Sequence, residues 1–494
     1  MYICAMTGTE TITISKAEYQ QLLDKSSKVE WLEHQLAELK RLIFGAKSER
    51  FLTPVPGQLS LFDLPQELPV EKPQEEITYT RNKPEKEKKQ PLRIELPAHL
   101  VRRVEVIEPE NIAEGAKKIG EAITEILEYE PANIYVRQIV RPKYIVESND
   151  ESTKIAIAEL PSLPIPKGNA GPSMIAHLLV SKFVDHLPFY RQSQIFKRQG
   201  LHLAESTLGG WFNAGCTLIE HLYRSLLFKI LLSDYLMADE TPIPVLTSDK
   251  PGATHKGYYW VYYDPVNKLV LFDYRKTRGR EGPNEMLKNF SGHLQTDGYT
   301  AYNNLSNQAN ITQLACMAHA RRKIESSLDN DNERATWALT MIQKLYDIER
   351  QAREGSLSPD DIRQLRQEQA KPILDEMGIW LKEQINMVLP KSAIGGAIAY
   401  TLTLWPRLIR YIEDGRFQID NNLIENSIRP VALGRRNYMF AGSHEAAHRS
   451  AVIYSLLATC KINNVEPQAW LTNTLSVISD CPPSQLHTLL PRQK

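Results

Sequence analysis

DYLMADETPIPVLT, residues 234–247, decides the reading of the fold. Its apolar run breaks at Asp239 and is followed by KGYYWVYYDP (256–265) and KLVLFDYR (268–275), and the three read as successive β-strands rich in aromatic and β-branched residues. After a short helical link, HLQTDGYTAYNN (293–304) supplies a fourth strand that ends at Asp297, and ITQLA (311–315) a fifth. Both acids are expected where a strand meets a loop. If the first three strands are antiparallel neighbours and the fourth lies beside the first, Asp239 and Asp297 come together, as in a ribonuclease-H-like sheet. Taken singly, each aspartate also reads as an ordinary turn cap.

A third acid stands in IDNNLIENSIRP, residues 419–430. Asn422 and Glu425 are three apart, the spacing of a capping box, and Pro430 reads as a helix stop. The competing reading is chemical: Glu425, on a late helix, completes a cluster with Asp239 and Asp297. Three hard oxygen donors suit two Mg²⁺ (or Mn²⁺) ions, one activating an attacking oxygen and one stabilising a leaving oxygen in phosphoryl displacement.

Cations gather where phosphate would need them. Arg275, Lys276, Arg278 and Arg280 follow the third strand; His319, Arg321, Arg322 and Lys323 follow the fifth; Arg429, Arg435, Arg436 and Arg449 surround Glu425. Each cluster alone reads equally as a solvated, salt-bridged face. Cys316 with His319 is too small a set for a zinc site.

Upstream, SMIAHLLVSKFVDHLPFYRQSQIFKRQGLHLAESTLGGWFNAG (173–215) reads as one helical pattern ending at Gly200, a tight turn, and a second helix. Arg191, Lys197 and Arg198 on the first helix suit phosphate contact better than base reading. Residues 91–166 read as a small α+β module, with the strand-like RRVEVIE and ANIYVRQIVRPKYIV around a helix and a core of Ile119, Ile123, Ile126, Tyr129 and Tyr135. The Pro-, Glu- and Lys-rich stretch 53–90 reads as a solvated linker. Before it, Leu22, Val29, Leu36 and Ile43 recur every seven residues, with Leu32 and Leu39 between them, a short heptad seam suited to self-association or to packing on its own chain.

The expected fold class is therefore α+β and multidomain. An N-terminal coiled-coil helix (1–52), the linker, the small module (91–166) and a helical hairpin (167–232) precede a mixed-sheet catalytic core. That core spans 233–328, is interrupted by a helical insertion (329–412), is completed by 413–448, and leads to a helical C-terminus (449–494). Length supports several domains. Lys plus Arg and Asp plus Glu are 59 each, so attraction to nucleic acid rests on clustering. Five scattered cysteines without a C-x-x-C pair exclude a disulfide framework and fit a reducing cytoplasm. The charge-free run at 392–405 is too short to cross a bilayer, and MYICAMTGTETITISK lacks a secretory pattern, so no membrane association is expected.

These stretches together give a resemblance. LKRLIFGAKSERF, LSLFDLP, HLLVSKFVDHLPFYRQSQIFKRQG, MADETPIPVL, LQTDGYTAYN, AHARRK, DGRFQIDNNLIENSIRPVALGRRNYMFAGS and YSLLATCKINNVEPQAWL resemble the insertion sequence 66 family of bacterial DDE transposases over nearly the whole chain. The resemblance implies a leucine-zipper-like N-terminal helix and a ribonuclease-H-like core with the catalytic, metal-binding triad Asp239, Asp297 and Glu425. It also implies cleavage at the inverted repeats of the element, strand transfer into target DNA, a homo-oligomer, and accessory proteins of the same element. The alternatives are a nuclease of the same chemistry that does not join DNA and a non-catalytic DNA-binding or scaffold descendant. Two departures stand out. Many members carry a cysteine zinc module after the linker, whereas the corresponding region here has no cysteine, so zinc is not expected; and MAHARRKIE lacks the aromatics common before Ala318 and at Ile324.

Overall fold

The computed structural model describes residues 2–5, 11–14, 96–108, 117–130, 133–149, 152–166, 168–246, 252–307 and 310–492. The heptad seam and the linker lie outside the described residues. The chain divides into two units, Met1–Glu87 and Lys88–Lys494. In the first, β1 (Tyr2–Ala5) and β2 (Thr11–Ile14) form an antiparallel pair.

The second unit starts with a sheet of β3 (Arg102–Val106), β4 (Lys117–Glu130), β5 (Asn133–Asn149) and β6 (Ser152–Ile157). β4 and β6 run antiparallel to β5, and β3 runs parallel to it. The helix expected in this module is corrected here: its described part, KKIGEAITEILEYE, is strand β4. The long neighbour β5 pairs with it from Glu130 back to Lys117, a tertiary partner that overrides local helix propensity. Ile126, Leu127 and Glu128 are buried in succession, as on a strand covered on both faces, whereas Ile123, assigned to the core, is 55% exposed.

Three helices follow: α1 (Pro172–Phe183), α2 (Phe189–Arg198) and α3 (Glu205–Leu231). The single helical pattern expected up to Gly200 is two helices. Pro188 disfavours helical geometry in the residue before it, and His186 takes a positive φ of 59°, which breaks the run. The turn before α3 is as expected, with Gly200 at φ 80°.

The central sheet holds β7 (Tyr235–Leu246), β8 (Thr254–Asp264), β9 (Leu269–Arg275), β10 (Gly292–Thr296) and β11 (Ile311–Ala315) in the order β11-β10-β7-β8-β9. β7, β8 and β9 are antiparallel neighbours, while β10 lies parallel to β7 and β11 parallel to β10. This is the pairing on which the meeting of Asp239 and Asp297 was conditional. Helix α4 (Glu281–Met286) links β9 to β10. The run Tyr259–Tyr263 in β8 is buried without alternation because helices cover the sheet. The free edge of β9 is sealed by side chains: Ser455 and Thr459 accept from the amides of Phe272 (2.8 Å) and Val270 (3.1 Å), and Tyr223 donates to the Phe272 carbonyl (2.9 Å).

After β11 come α5 (Met317–Glu325), α6 (Asn332–Glu354), α7 (Pro359–Leu365), a π turn at Arg366–Ala370, α8 (Lys371–Gln384) and α9 (Ala393–Leu408). Met317 and Ile324, which replace the expected aromatics, are fully buried. Arg366 is 2% exposed; it donates to both Glu349 oxygens (2.8 and 2.7 Å) and to the carbonyls of Tyr411, Asp414 and Phe417. One buried guanidinium thus ties the insertion to the segment that leads into α10 (Asn422–Tyr438). Pro430 does not stop that helix. It withholds one amide bond, while Ile424, Ser427, Val431 and Gly434 bury one face past it. Helices α11 (His444–Ile462) and α12 (Pro467–Val477) complete the unit.

Candidate active site

Asp239 lies inside β7, not at its end as the sequence implied, because β8 pairs with β7 out to Leu246. It stands where the shorter β10 leaves the other side of β7. β10 pairs with β7 as far as Gln295 on Met237, two residues short of both acids, and Asp297 follows the strand near enough for its charge to act on Asp239. Pro242 and Pro244 are tolerated in β7 beyond that point, where β10 no longer needs their amides.

Each aspartate is fixed by backbone: Asp239 accepts from the Glu240 amide (2.7 Å) and Asp297 from the Tyr299 amide (2.8 Å). The second contact needs the turn at Gly298, whose φ of 88° excludes most side chains; a Cβ there would lie 2.7 Å from Leu404 of α9. From the same helix Tyr400 donates to the Asp297 carbonyl (2.9 Å), so the insertion bears directly on the second acid.

Glu425 sits in the first turn of α10, and the capping box is absent. Asn422 is already helical and gives its amide and side chain to Asp420 (3.0 and 2.7 Å), while both Glu425 oxygens accept from Arg322 of α5 (3.0 and 3.2 Å). Arg322 also donates to His319 Nε2 (3.2 Å). α5 and α10 are registered by the Met317 amide on the Ile419 carbonyl (3.0 Å) and the Asn421 amide on Cys316 Sγ (3.2 Å). Burial pushes the Cys316 thiol up to about 12, so it packs as a neutral group.

The electrostatics bind these residues into one site. Burial pushes the Asp239 carboxyl up to about 8, and the charges of Glu240, Asp297 and Glu425 add to it. His319 is held below its usual range by burial and by Arg322, against the pull of Asp297 and Glu425. Four carboxylates therefore act on one another here, two of them paired, Glu425 with Arg322 and Glu240 with Arg278, while Asp239 and Asp297 have no ion pair among the described residues. Glu240 is the residue the sequence reading passed over. It is raised mainly by burial, pairs with Arg278, and accepts from Tyr302 (3.4 Å). The DE doublet in MADETP was the available signal.

The expected cations divide by place. Arg278, His319 and Arg322 border the acids, with Arg278 also stacked 3.9 Å from the Tyr299 ring. Arg321 pairs with Glu325 on its own helix (3.0 Å), and Arg435 holds the Pro242 carbonyl. Arg280 and Arg436 are exposed, as is Arg429, which lines a cavity with Leu433 and Tyr454. Arg191, Lys197 and Arg198 lie exposed on α2, where Arg191 reaches Asn437 (3.3 Å).

The donor chemistry suits a hard divalent ion: a carboxyl raised by burial, with the charges of neighbouring carboxylates adding to the shift, is what a cation relieves. Among the described residues no three such side chains stand close enough to hold an ion as they are, Glu425 being engaged by Arg322. No described helix is long and apolar enough to cross a membrane.

Comparison with known proteins gives the family. The family described as "Transposase IS66 family" matches residues 167–449, which contain all three acids; "Transposase C of IS166 homeodomain" matches 31–106, and "IS66 C-terminal element" matches 455–491. Among curated relatives, the uncharacterized protein y4jD of Sinorhizobium fredii (strain NBRC 101917 / NGR234) is 33% identical over 93% of this chain and 94% of its own length. Two others from that organism, the uncharacterized proteins y4hP and y4qI, are 32% and 34% identical over 82% and 80% of this chain and 77% and 76% of their own. The chain belongs to the IS66 family of transposases.

Proposed function

We propose that this chain is the catalytic transposase of its element, cutting DNA at the terminal inverted repeats and joining the freed 3′-hydroxyl to target DNA on a ribonuclease-H-like core. The observation that carries the reading is the convergence of Asp239, Asp297 and Glu425: burial raises the Asp239 carboxyl to about 8, and the charges of Glu240, Asp297 and Glu425 add to that shift. In this reading Asp239, Asp297 and Glu425 would hold two Mg²⁺ or Mn²⁺ ions, Asp239 and Asp297 one and Glu425 the other, which when bound would supply activation of the attacking oxygen and stabilisation of the leaving oxygen. The chain's own groups do the rest. Asp297 is oriented by the Tyr299 amide and the Gly298 turn; Glu240 keeps Arg278 at the rim; Arg322 balances Glu425 until the site is filled and then faces the scissile phosphate. Neutral His319, accepting from Arg322, holds that guanidinium in place. The exposed cations of α2 and α10 serve the flanking phosphates, and the chain acts as a homo-oligomer, with accessory proteins of the element as further partners.

The test incubates purified protein with Mg²⁺, pre-nicked ends of its own element and a plasmid target, beside Asp297→Asn. Joined product from wild type, reduced at least about a hundredfold in the variant, is expected for loss of a metal-binding carboxylate. Joining by Asp297→Asn at the wild-type rate would overturn the proposal.

A further inference from the structure

A cavity of 620 Å³ opens between α1, α2, the start of α3 and the connection from α10 to α11. Its walls include the rings of Phe189, Phe212 and Tyr438, and at its mouth stand Tyr190 and Phe440, 60% and 37% exposed. Lys182 enters from α1, its ammonium 4.0 Å from the centroid of Phe189, 5.7 Å from Tyr438 and 5.8 Å from Phe212. No carboxylate pairs with it among the described residues. The neighbouring Cys216 thiol is held far above its usual range by burial and offers no counter-charge, while the ammonium is itself pushed down to about 8. Arg449 lines the same cavity and also acts on Cys216, so the two cations are near one another; its Nε is buried without a hydrogen-bond partner.

The mouth is held by backbone. Met439, at φ 60°, ends α10 in a conformation unfavourable for a side-chain residue and delivers Phe440 to the rim. The next residue, Ala441, locks onto β7, donating to the Pro244 carbonyl and accepting from the Leu246 amide (both 2.9 Å). Ile243 of β7 lines the cavity, four residues along the strand from Asp239, roughly 13 Å at the rise of an extended chain.

A half-buried ammonium with no ion pair among the described residues and a buried guanidinium nitrogen without a hydrogen-bond partner call for an anion, and ring walls call for a planar partner. A phosphate alone leaves the rings unused; an apolar ligand leaves the cations uncompensated. A nucleotide supplies both, since every base has a face that stacks on aromatic side chains. Glu205, also in the lining, is an acceptor for an exocyclic amine. We propose that this cavity takes one unpaired nucleotide of the DNA strand engaged at the acids, its base among Phe189, Phe212 and Tyr438 and its phosphate against Lys182 and Arg449. This rests on the transposase reading above.

The full chain is irradiated with a short single-stranded oligonucleotide carrying 5-iodouracil, and separately with its fully paired duplex, and the crosslinks are mapped. Crosslinking of the single strand to Phe189, Tyr190 or Tyr438 is expected, lowered about tenfold or more in Phe189→Leu and Lys182→Met. Crosslinks of the single strand only at other residues, with duplex still bound, overturn the nucleotide site and leave the DNA reading standing. Binding of neither strand overturns both. Displacement of the single strand from the cavity by inorganic phosphate at equal concentration also overturns the proposal, because the base then contributes nothing. If either variant fails to fold, the wild-type crosslink map decides alone.

Discussion

Asp239 holds its proton at pH values where a free aspartate has lost it, because the folded chain buries the carboxyl beside Glu240, Asp297 and Glu425. Its folded pKa, about 8, lies above the unfolded value of roughly 4, so the folded state binds the extra proton between them. Stability from this group is complete below the lower value and is lost as pH rises through the upper. Without divalent ions, the melting temperature of the wild type should fall from pH 5 to pH 8 more steeply than that of Asp239→Asn, and the variant should be the more stable at pH 8. Thermal melts with and without Mg²⁺ check this: the ion should restore the wild type and leave the variant unmoved, and equal pH slopes would contradict the account. Asp239 and Asp297 stood out in the sequence because each closes an apolar run, and Glu425 because it follows two amides and precedes Arg429 and Pro430. The state of Glu425 was not legible: its partner Arg322 is 103 residues away, a pairing set by how α5 packs on α10. Local spacing suggested a capping box that tertiary contact replaces.

At the scale of elements, the strands of the central sheet were legible from long runs such as YYWVYY that only a sheet covered on both faces can bury. Strand β4 was misread because Ile119, Ile123 and Ile126 fit a helical face as well as an extended one, and only its partner β5 decides between them. Pro430 misled in the same way, since helix α10 is held by burial on both sides of it. The Arg366–Glu349 pair had no sequence signal, as its other partners are backbone carbonyls at 411, 414 and 417. Arg366→Met removes one charge from a buried pair and strands the other, so it should cost about 3–5 kcal/mol in denaturant unfolding. Because that guanidinium positions the segment entering α10, strand joining should fall with it. A loss below about 1 kcal/mol would show that the pair does not hold the insertion in place.

For the whole molecule, the division after Glu87 gives a boundary that can be cut. A chain beginning at Lys88 should keep its helical circular dichroism and melt within about 2 °C of the full chain, because the described core is made by residues beyond that point. If the heptad seam at 22–43 drives self-association, the full chain should run as an oligomer in light scattering and the shortened chain as a monomer; an unchanged mass would assign assembly to the second unit. The central claim is that Asp239 in β7, Asp297 just after β10 and Glu425 in α10, distant in sequence, act as one cation site. Iron-directed cleavage tests it most directly: Fe²⁺ with ascorbate and peroxide cuts backbone near the ion it replaces. The account predicts fragments ending near residues 239, 297 and 425, suppressed by excess Mg²⁺ and lost in Asp297→Asn; cuts elsewhere, or cuts at these places that Mg²⁺ and the substitution leave unchanged, would contradict it.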